Sequence, residues 1–302
     1  MVILLILLLI LILLGLSYAG YWIAFYNPVN RHQETLVIRR QQDPACMDEL
    51  CRTMAGRPYK QVEITVRDGT KLAGKWYDAG CSPIFILFHG YRGSGVRDFC
   101  AIHNICMELG ISTLVVDQRA HGQSGGSTLT FGIRERYDCL EWVKYASEHF
   151  GADRPIYLMG VSMGAATVLM ASDLPLPDNV AGIIGDCPFS APGAIIRKII
   201  GDLGLPVWLL YPFAVLGALL FGHFRLWEDS AMKSVSRSRV PILLIHGSED
   251  NFVPSEMSAT IFEHCAGKRY LEIFPGAGHG GCSLTDPTRY QKILRSFIEN
   301  CG

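Results

Sequence analysis

The sequence predicts an α/β fold, with a mostly parallel central sheet covered by helices on both faces and preceded by an N-terminal transmembrane helix. From residue 61 onward, short continuous apolar runs alternate with longer stretches of helical periodicity. Continuous apolar strands are typical of parallel sheets that are buried on both faces. Of the 302 residues, 49% are hydrophobic and only 18% are charged, so the chain has enough apolar side chains for a large core.

The first 30 residues predict a membrane anchor. Residues 2–14 form an unbroken aliphatic run, no charged side chain precedes Arg31, and the apolar stretch is long enough to span a bilayer as a helix. A cleaved signal peptide is the alternative, because Ser17-x-Ala19 resembles a cleavage site, but the basic residues that begin such peptides are missing. Aromatic residues gather at the far end of the run, where an interfacial belt would lie: Tyr18, Tyr21, Trp22 and Tyr26.

Residues 31–60 are polar and irregular, and we interpret them as a tether that contains a short helix near residues 47–54. The cations nearest to the apolar run follow it, at Arg31, Arg39 and Arg40. By the positive-inside rule, they predict that the following domain lies in the cytoplasm. The division into an anchor (1–30), a tether (31–60) and a domain (61–302) also predicts that the domain folds without residues 1–30.

The domain opens with an antiparallel hairpin. Residues 62–67 alternate as a strand, Asp68-Gly69 favours a turn, and a second strand follows at residues 71–76. Further strands are predicted at 83–88, 111–116, 155–159, 180–185, 240–245 and 270–274. Helices are predicted at 97–109, 133–150, 163–171, 255–265 and 287–299. Residues 190–239 break this alternation and are too long for a simple connection.

A serine lies between a predicted strand and a predicted helix, in the segment Gly160-Val161-Ser162-Met163-Gly164. A strand–turn–helix elbow exposes a serine hydroxyl, and flanking glycines let the backbone turn tightly. The same turn points the Met163 amide at the place where an oxyanion would form. The segment therefore predicts Ser162 as a nucleophile, with an ordinary helix N-cap after a buried strand as the alternative.

An activated serine needs a base and an acid that orients the base, in the chain order serine, acid, histidine. A polar loop with adjacent carboxylates, Glu249 and Asp250, follows strand 240–245, and we favour Asp250 as the acid. His279 lies on a glycine-rich loop after the last strand, and we predict that it is the base. Both loops follow carboxyl ends of strands, where open α/β sheets bind their ligands.

A second oxyanion donor is expected in the turn after strand 83–88. That turn reads His89-Gly90-Tyr91-Arg92-Gly93-Ser94-Gly95. We predict that the Tyr91 amide is the donor and that His89 is a structural residue bracing the loop. A phosphate-binding loop is excluded, because no Gly-Lys-Ser/Thr follows the glycines.

From about residue 61 to its end, the chain resembles the α/β-hydrolase superfamily, and in particular its single-pass, membrane-anchored members, which are similar to serine aminopeptidase-like esterases and lysophospholipases. The resemblance implies catalysis by Ser162, His279 and Asp250, with the Tyr91 and Met163 amides as the oxyanion hole. One departure is Ala120, where the family usually has glycine. The blocks that carry the resemblance are His89-Gly90-x-x-Gly93, Asp117-Gln118-Arg119-Ala120-His121-Gly122-Gln123-Ser124, Gly160-x-Ser162-x-Gly164, His246-Gly247-x-x-Asp250-x-x-Val253-Pro254 and Gly278-His279.

Residues 190–239 occupy the position, after the sixth strand, where this family inserts a cap. Their central part, 205–221, is strongly apolar, and a second membrane span is the alternative. Because prolines and a glycine interrupt this short stretch, we interpret it as cap helices. We predict that Trp208, Leu209 and Phe213 line a pocket for an apolar acyl group.

The resemblance implies a serine hydrolase that cleaves carboxylic esters, with lipophilic acyl esters or thioesters as candidate substrates and no metal or organic cofactor. The alternatives are a serine peptidase of the same mechanism and a catalytically silent scaffold. Nucleic acid is not an expected partner, because 27 Lys and Arg balance 28 Asp and Glu without a basic run. The ten cysteines include no C-x-x-C pair and predict mostly free thiols, with a local bridge between Cys46 and Cys51 left open.

Overall fold

In the computed structural model, which describes residues 1–28, 44–80 and 83–301, a single eight-stranded sheet forms the centre of the domain. Its strands are β1 (Lys60–Thr65), β2 (Lys71–Tyr77), β3 (Ile84–Phe88), β4 (Ser112–Val116), β5 (Ile156–Val161), β6 (Val180–Asp186), β7 (Ile242–Gly247) and β8 (Arg269–Phe274). Their order is β1-β2-β4-β3-β5-β6-β7-β8. The β1–β2 and β2–β4 pairs are antiparallel and the other pairs are parallel, so the predicted hairpin is the antiparallel edge of a mostly parallel sheet.

The helices alternate with the strands as predicted, and the ends of the predicted elements differ only slightly from those observed. The helices are α1 (Val2–Ala24), α2 (Pro44–Gly56), α3 (Gly95–Glu108), α4 (Glu135–Phe150), α5 (Met163–Met170), α6 (Pro192–Asp202), α7 (Val207–Leu220), α8 (Ala231–Val235), α9 (Glu256–His264), α10 (Cys282–Thr285) and α11 (Pro287–Cys301). Residues 190–239 form α6, α7 and α8.

Side chains on the central strands enter two separate cores. Every residue of β3 is buried, and its alternate side chains Ile84, Ile86 and Phe88 join one hydrophobic cluster while Phe85 and Leu87 join the other. This alternation follows from the pleat, which sends successive side chains to opposite faces. The continuous apolar runs in the sequence therefore correspond to strands with a core on each face.

Helix α1 has the length and composition of a membrane span. It has 23 residues, and it is the one helix in the described part of the chain that is long and apolar enough to cross a bilayer. Most side chains of its first half are exposed, as expected for a surface that faces lipid. Arg31, Arg39 and Arg40, on which the predicted orientation depends, lie outside the described residues.

The end of α1 packs into the domain, and residues 31–43 of the predicted tether lie outside the described residues. The side chain of Phe25 is fully buried, and its ring lies 5.8 Å from that of Phe131 and 5.2 Å from that of Phe224. Tyr26 forms a backbone bridge with Thr128. Removal of residues 1–30 would uncover this part of the core, so the packing does not support the expectation that the domain folds without them.

Helix α7 runs antiparallel to the second half of α1. The Tyr18 ring lies 5.1 Å from that of Phe221, and Gly20 faces the backbone of Phe213. At Gly217, an added Cβ would lie 2.4 Å from the backbone oxygen of Ser17. Small residues allow such close approach of helix backbones within membranes. The shorter α7, with Pro212 inside it, is thus a partner of the anchor helix.

We expect Gly217→Ala to destabilise the protein by about 1–3 kcal/mol, because the new methyl group would push α7 away from the α1 backbone. Gly15→Ala is the matched control, since nothing lies within 4 Å of a Cβ at Gly15 on the exposed part of α1. Thermal unfolding of the full chain in detergent measures both effects. Equal melting temperatures for the two variants would contradict the observed packing.

Candidate active site

Ser162 lies at a sharp turn between β5 and α5. Its φ of 55° and ψ of −113° are unusual for a residue with a side chain, and such strain persists only where the surrounding structure holds it. The flanking glycines are required sterically, because a Cβ at Gly164 would lie 1.8 Å from the Phe88 oxygen and one at Gly160 would lie 2.1 Å from the Gly164 backbone. The sequence Gly160-x-Ser162-x-Gly164 therefore forms the predicted elbow, at the carboxyl end of a central strand.

The structure brings Ser162, His279 and Asp250 into one hydrogen-bonded chain. His279 Nε2 lies 2.9 Å from Ser162 Oγ, and His279 Nδ1 lies 2.7 Å from Asp250 Oδ2. Asp250 is buried, whereas Glu249 is exposed, so of the two adjacent carboxylates only that of Asp250 lies against the histidine. In this arrangement Nδ1–H donates to the carboxylate and Nε2 accepts from the hydroxyl, which is the geometry that a base needs to remove the serine proton.

Asp250 is held as a carboxylate. Burial by itself raises the pKa of Asp250, but hydrogen bonds with His246 and His279 and from the Val253 amide outweigh it and hold this pKa below its usual range. The Phe252 and Val253 amides donate to Oδ1 at 3.0 and 2.8 Å. An ionised acid can stabilise the imidazolium that forms when His279 takes up a proton.

Sequence reasoning assigned no role to His246, although it lies four positions before the acid. Its side chain is fully buried, with Nδ1 2.6 Å from Ser258 Oγ and Nε2 2.8 Å from the Val253 oxygen. Nε2 also lies 3.2 Å from Asp250 Oδ2. His246 therefore fixes the loop that carries the acid. The sequence did offer a signal for this role, because His246 directly follows the predicted apolar strand 240–245.

The loop of residues 89–93, here called the oxyanion loop, lies against the nucleophile. A Cβ at Gly90 would contact the Ser162 Cβ at 3.5 Å, and the Gly90 amide donates to Asp98 Oδ2 at 2.8 Å. Tyr91, the predicted donor, follows directly. Met163 is the first residue of α5, so its amide has no acceptor within the helix. Met163 thus directly follows the residue that carries the hydroxyl, and Tyr91 directly follows the glycine that approaches it.

Two buried histidines support this loop. His89 Nε2 accepts from the Gln118 amide at 3.1 Å, and its Nδ1 lies 2.9 Å from the Gly90 oxygen, in agreement with the predicted bracing role. His121, which the sequence reasoning did not single out, accepts from the Arg92 amide through Nε2 at 3.0 Å. Burial and the neighbouring His89 lower the pKa of His121 well below its usual value, so it stays neutral and able to accept.

Ala120, the departure from the family pattern, lies in the loop after β4 with a φ of 61°. This left-handed conformation favours glycine and explains the family preference. Its backbone oxygen accepts a hydrogen bond from the Asn27 side chain at 2.6 Å. The residue is structural.

Cys187 is a further side chain of potential reactivity beside these residues. Its sulfur lies 4.0 Å from His279 Nε2, and together with Asp250 and His279 it forms a cluster of metal-ligand type. Both nitrogens of His279 already face Ser162 and Asp250, and burial raises the pKa of the Cys187 thiol well above its usual value. A buried neutral thiol is a poor ligand and a poor nucleophile. Cys46 and Cys51 are both free thiols, so the local bridge that the sequence left open is not formed.

The predicted cap residues lie on α7, beside α1. Trp208 has 80% of its surface exposed and Leu209 has 43%, whereas Phe213 is half-buried. Trp208 therefore does not line an enclosed pocket in this structure. Two aromatic rings from other segments lie beside predicted site residues. The Phe252 ring lies 5.0 Å from the His279 ring, and the Phe131 ring lies 5.2 Å from the Tyr91 ring.

Comparison with known proteins agrees with this architecture. Residues 83–214 match the family model described as the alpha/beta hydrolase fold. The chain is 28% identical to the uncharacterized protein YqkD of Bacillus subtilis over 71% of this chain and 70% of that protein. It is 24% identical to the lysophosphatidylserine lipase ABHD12 of Xenopus tropicalis over 75% of this chain and 61% of that protein. An esterase of Pyrococcus furiosus has a TM-score of 0.65 at 25% identity, over 86% of this chain and 97% of that one.

Proposed function

The chain has the α/β-hydrolase fold, and from this premise we propose that it is a serine hydrolase that cleaves carboxylic esters. One observation carries the proposal: a buried carboxylate, a histidine and a serine hydroxyl are linked by contacts of 2.7 and 2.9 Å at the strained turn after β5. That arrangement serves acyl transfer. A relative named as a lipase and a structural neighbour named as an esterase agree with the reaction class.

In the proposed reaction, Ser162 Oγ attacks the ester carbonyl while His279 Nε2 takes its proton. The carbonyl oxygen becomes negatively charged and accepts hydrogen bonds from the Tyr91 and Met163 amides. His279 then donates the proton to the leaving alcohol, and the acyl group stays on Ser162. Water, deprotonated by His279, then attacks the acyl carbonyl; the bond to Ser162 Oγ breaks, His279 returns the proton to Oγ, and the acid is released. Asp250 keeps His279 in the required tautomer throughout.

The first test is labelling of the full chain in detergent with a fluorophosphonate, followed by assay with a nitrophenyl ester. We expect label on Ser162 and release of nitrophenol. Absence of both would contradict the proposal and favour a silent scaffold. Label without ester turnover, together with cleavage of an aminoacyl anilide, would favour a peptidase of the same mechanism.

We further propose that the acyl group is lipophilic. One support is the apolar surface of α7 beside α1, where Leu209, Leu216 and Leu219 are exposed. The other is that one relative is named as a lipase. We expect kcat/KM to rise from acetate to octanoate nitrophenyl esters, because each buried CH₂ contributes about 0.8 kcal/mol, or roughly fourfold in rate. A steady fall beyond acetate, below the aggregation limit of each ester, would contradict this substrate class.

Variants of α7 test whether the cap supplies the acyl contacts. Leu209→Ser with Phe213→Ser is expected to flatten the dependence on chain length. Trp208→Ser is the matched control, since its largely exposed ring has little contact to lose within the protein. Equal slopes for all three proteins would assign the acyl contacts to residues outside α7.

We propose that α1 is retained as the membrane span and that the domain lies in the cytoplasm. Ser17 and Tyr21, on either side of the alternative cleavage position, are both buried, so cleavage there would break a packed contact. The free cysteines agree with a reducing compartment. Protease treatment of sealed microsomes tests the orientation. Digestion of the domain without detergent is expected, and protection until detergent is added would reverse the orientation.

A further inference from the structure

The end of α1 accepts hydrogen bonds from the oxyanion loop. Tyr91 Oη donates to the Ala24 oxygen at 3.0 Å. The Arg92 guanidinium donates to the oxygens of Ile23 and Tyr26 at 2.9 and 3.2 Å. The last carbonyls of a helix have no partner within it and carry partial negative charge, so a hydroxyl and a guanidinium are suitable donors for them.

The acceptors in this contact are firmly placed. Asn27, just beyond the helix, donates from its backbone to the Ser127 oxygen at 2.8 Å. The Phe25 oxygen accepts from the Leu129 amide at 2.8 Å, and Tyr21 Oη lies 2.7 Å from Thr128 Oγ1. With Phe25 buried in the core, the final turn of α1 is a fixed part of the domain.

The loop that this turn holds is strained. Arg92 has a φ of 49°, a left-handed conformation that a side chain disfavours, and its amide donates to His121 Nε2 at 3.0 Å. Conformations of this kind persist only where contacts on several sides impose them. The Arg92 side chain is held by α1 and its backbone by His121, and the Tyr91 amide is the adjacent peptide group.

We infer that the final turn of α1 positions the oxyanion loop, so that the membrane helix is a working part of the active site as well as an anchor. Tyr91 and Arg92 are the positioning side chains. This inference rests on the proposed function, because it concerns the placement of the Tyr91 amide toward the transition-state oxygen. An oxyanion donor is effective only when it is already aimed at the developing charge.

The test uses the full chain in detergent and the double variant Tyr91→Phe with Arg92→Gln. This variant keeps the Tyr91 amide, deletes the tyrosine hydroxyl and replaces the charged guanidinium by a shorter, neutral side chain. We expect kcat for a nitrophenyl butyrate to fall by about 10- to 100-fold, with KM nearly unchanged. This is less than the roughly 10²- to 10³-fold fall in kcat that follows complete removal of one oxyanion donor. The inhibition constant of a trifluoromethyl ketone, whose adduct with serine carries an oxyanion, should weaken by the same factor as kcat/KM.

Two further variants separate positioning from general stability. Arg92→Lys retains a cation that can reach the carbonyls and should recover most of the lost kcat. Arg134→Gln is the matched control, because Arg134 likewise donates to backbone oxygens just after an apolar helix, those of Gly222 and His223 after α7. It should leave kcat and the inhibition constant unchanged.

The outcomes are distinguishable. If the double variant melts at a much lower temperature, Tyr91→Phe alone, which deletes one hydroxyl, must still weaken kcat and ketone binding in parallel. Unchanged kcat and ketone binding in an active protein would overturn the inference and leave the proposed function standing. An unaltered chain that neither labels with fluorophosphonate nor hydrolyses esters would overturn both.

Discussion

Replacement of Ser162 by alanine is expected to leave a folded protein whose ester turnover is lower by about 10⁶-fold. The hydroxyl is the atom that His279 faces at 2.9 Å, and no covalent acyl-enzyme can form without it. Substrate binding and the two backbone amides remain, so a small residual rate over water is expected. Stopped assays with a nitrophenyl ester, together with fluorophosphonate labelling, measure the loss.

Ser172→Ala is the matched control for this variant. Ser172 is a buried serine two residues after the end of α5, and its Oγ is without a hydrogen-bond partner in the described structure, so its removal should leave activity intact. Retention of turnover and of label in Ser162→Ala would show that another serine is the nucleophile.

The sequence predicted the strands and the loops of the site because both follow from local patterns. Continuous apolar runs indicate strands buried on both faces, and parallel strands bring their carboxyl ends to one edge of the sheet. Ser162, Asp250 and His279 each follow such a strand. Their chain order and turn chemistry were therefore enough to predict that these three side chains meet.

Contacts between distant segments could not be predicted in this way. Hydropathy indicates the length and polarity of α1, but it does not indicate which face of the helix packs against the domain. Tyr21 was therefore interpreted as part of an interfacial aromatic belt. In the structure Tyr21 is 7% exposed, while Trp22 is 39% exposed. The close approach at Gly217 and the hydrogen bonds from Arg92 to α1 depend on three-dimensional placement alone, since no local spacing records them.

Asp250→Asn is expected to lower kcat by about 10⁴-fold, because an amide favours the wrong tautomer of His279 and does not stabilise its cation. The effect differs from that of Ser162→Ala, since the nucleophile is still present and slow labelling should persist. The rate of fluorophosphonate labelling and kcat should fall together. A labelling rate equal to that of the unaltered chain would contradict the role of Asp250.

Asp250 is also expected to contribute to stability in a defined pH range. Its pKa in the folded protein lies below the ordinary value of 3.8, so the folded state favours the carboxylate. The stabilisation is therefore present above about pH 4 and is lost as the pH falls through the folded value. The difference in melting temperature between the unaltered chain and Asp250→Asn should be largest near neutral pH and should shrink below pH 4.

Glu249→Gln is the matched control for both measurements. It also removes one negative charge, but from the exposed residue next to Asp250. We expect less than about a twofold change in kcat and little change in melting temperature, as for most exposed substitutions. If Glu249→Gln abolished turnover while Asp250→Asn retained it, Glu249 would be the orienting acid and the loop would have to rearrange when substrate binds. A direct hydrogen bond to His279 Nδ1 distinguishes Asp250 from Glu249. If both variants lost turnover to a similar large extent, this bond could not be the cause, and the activity would instead depend on the net charge of the loop.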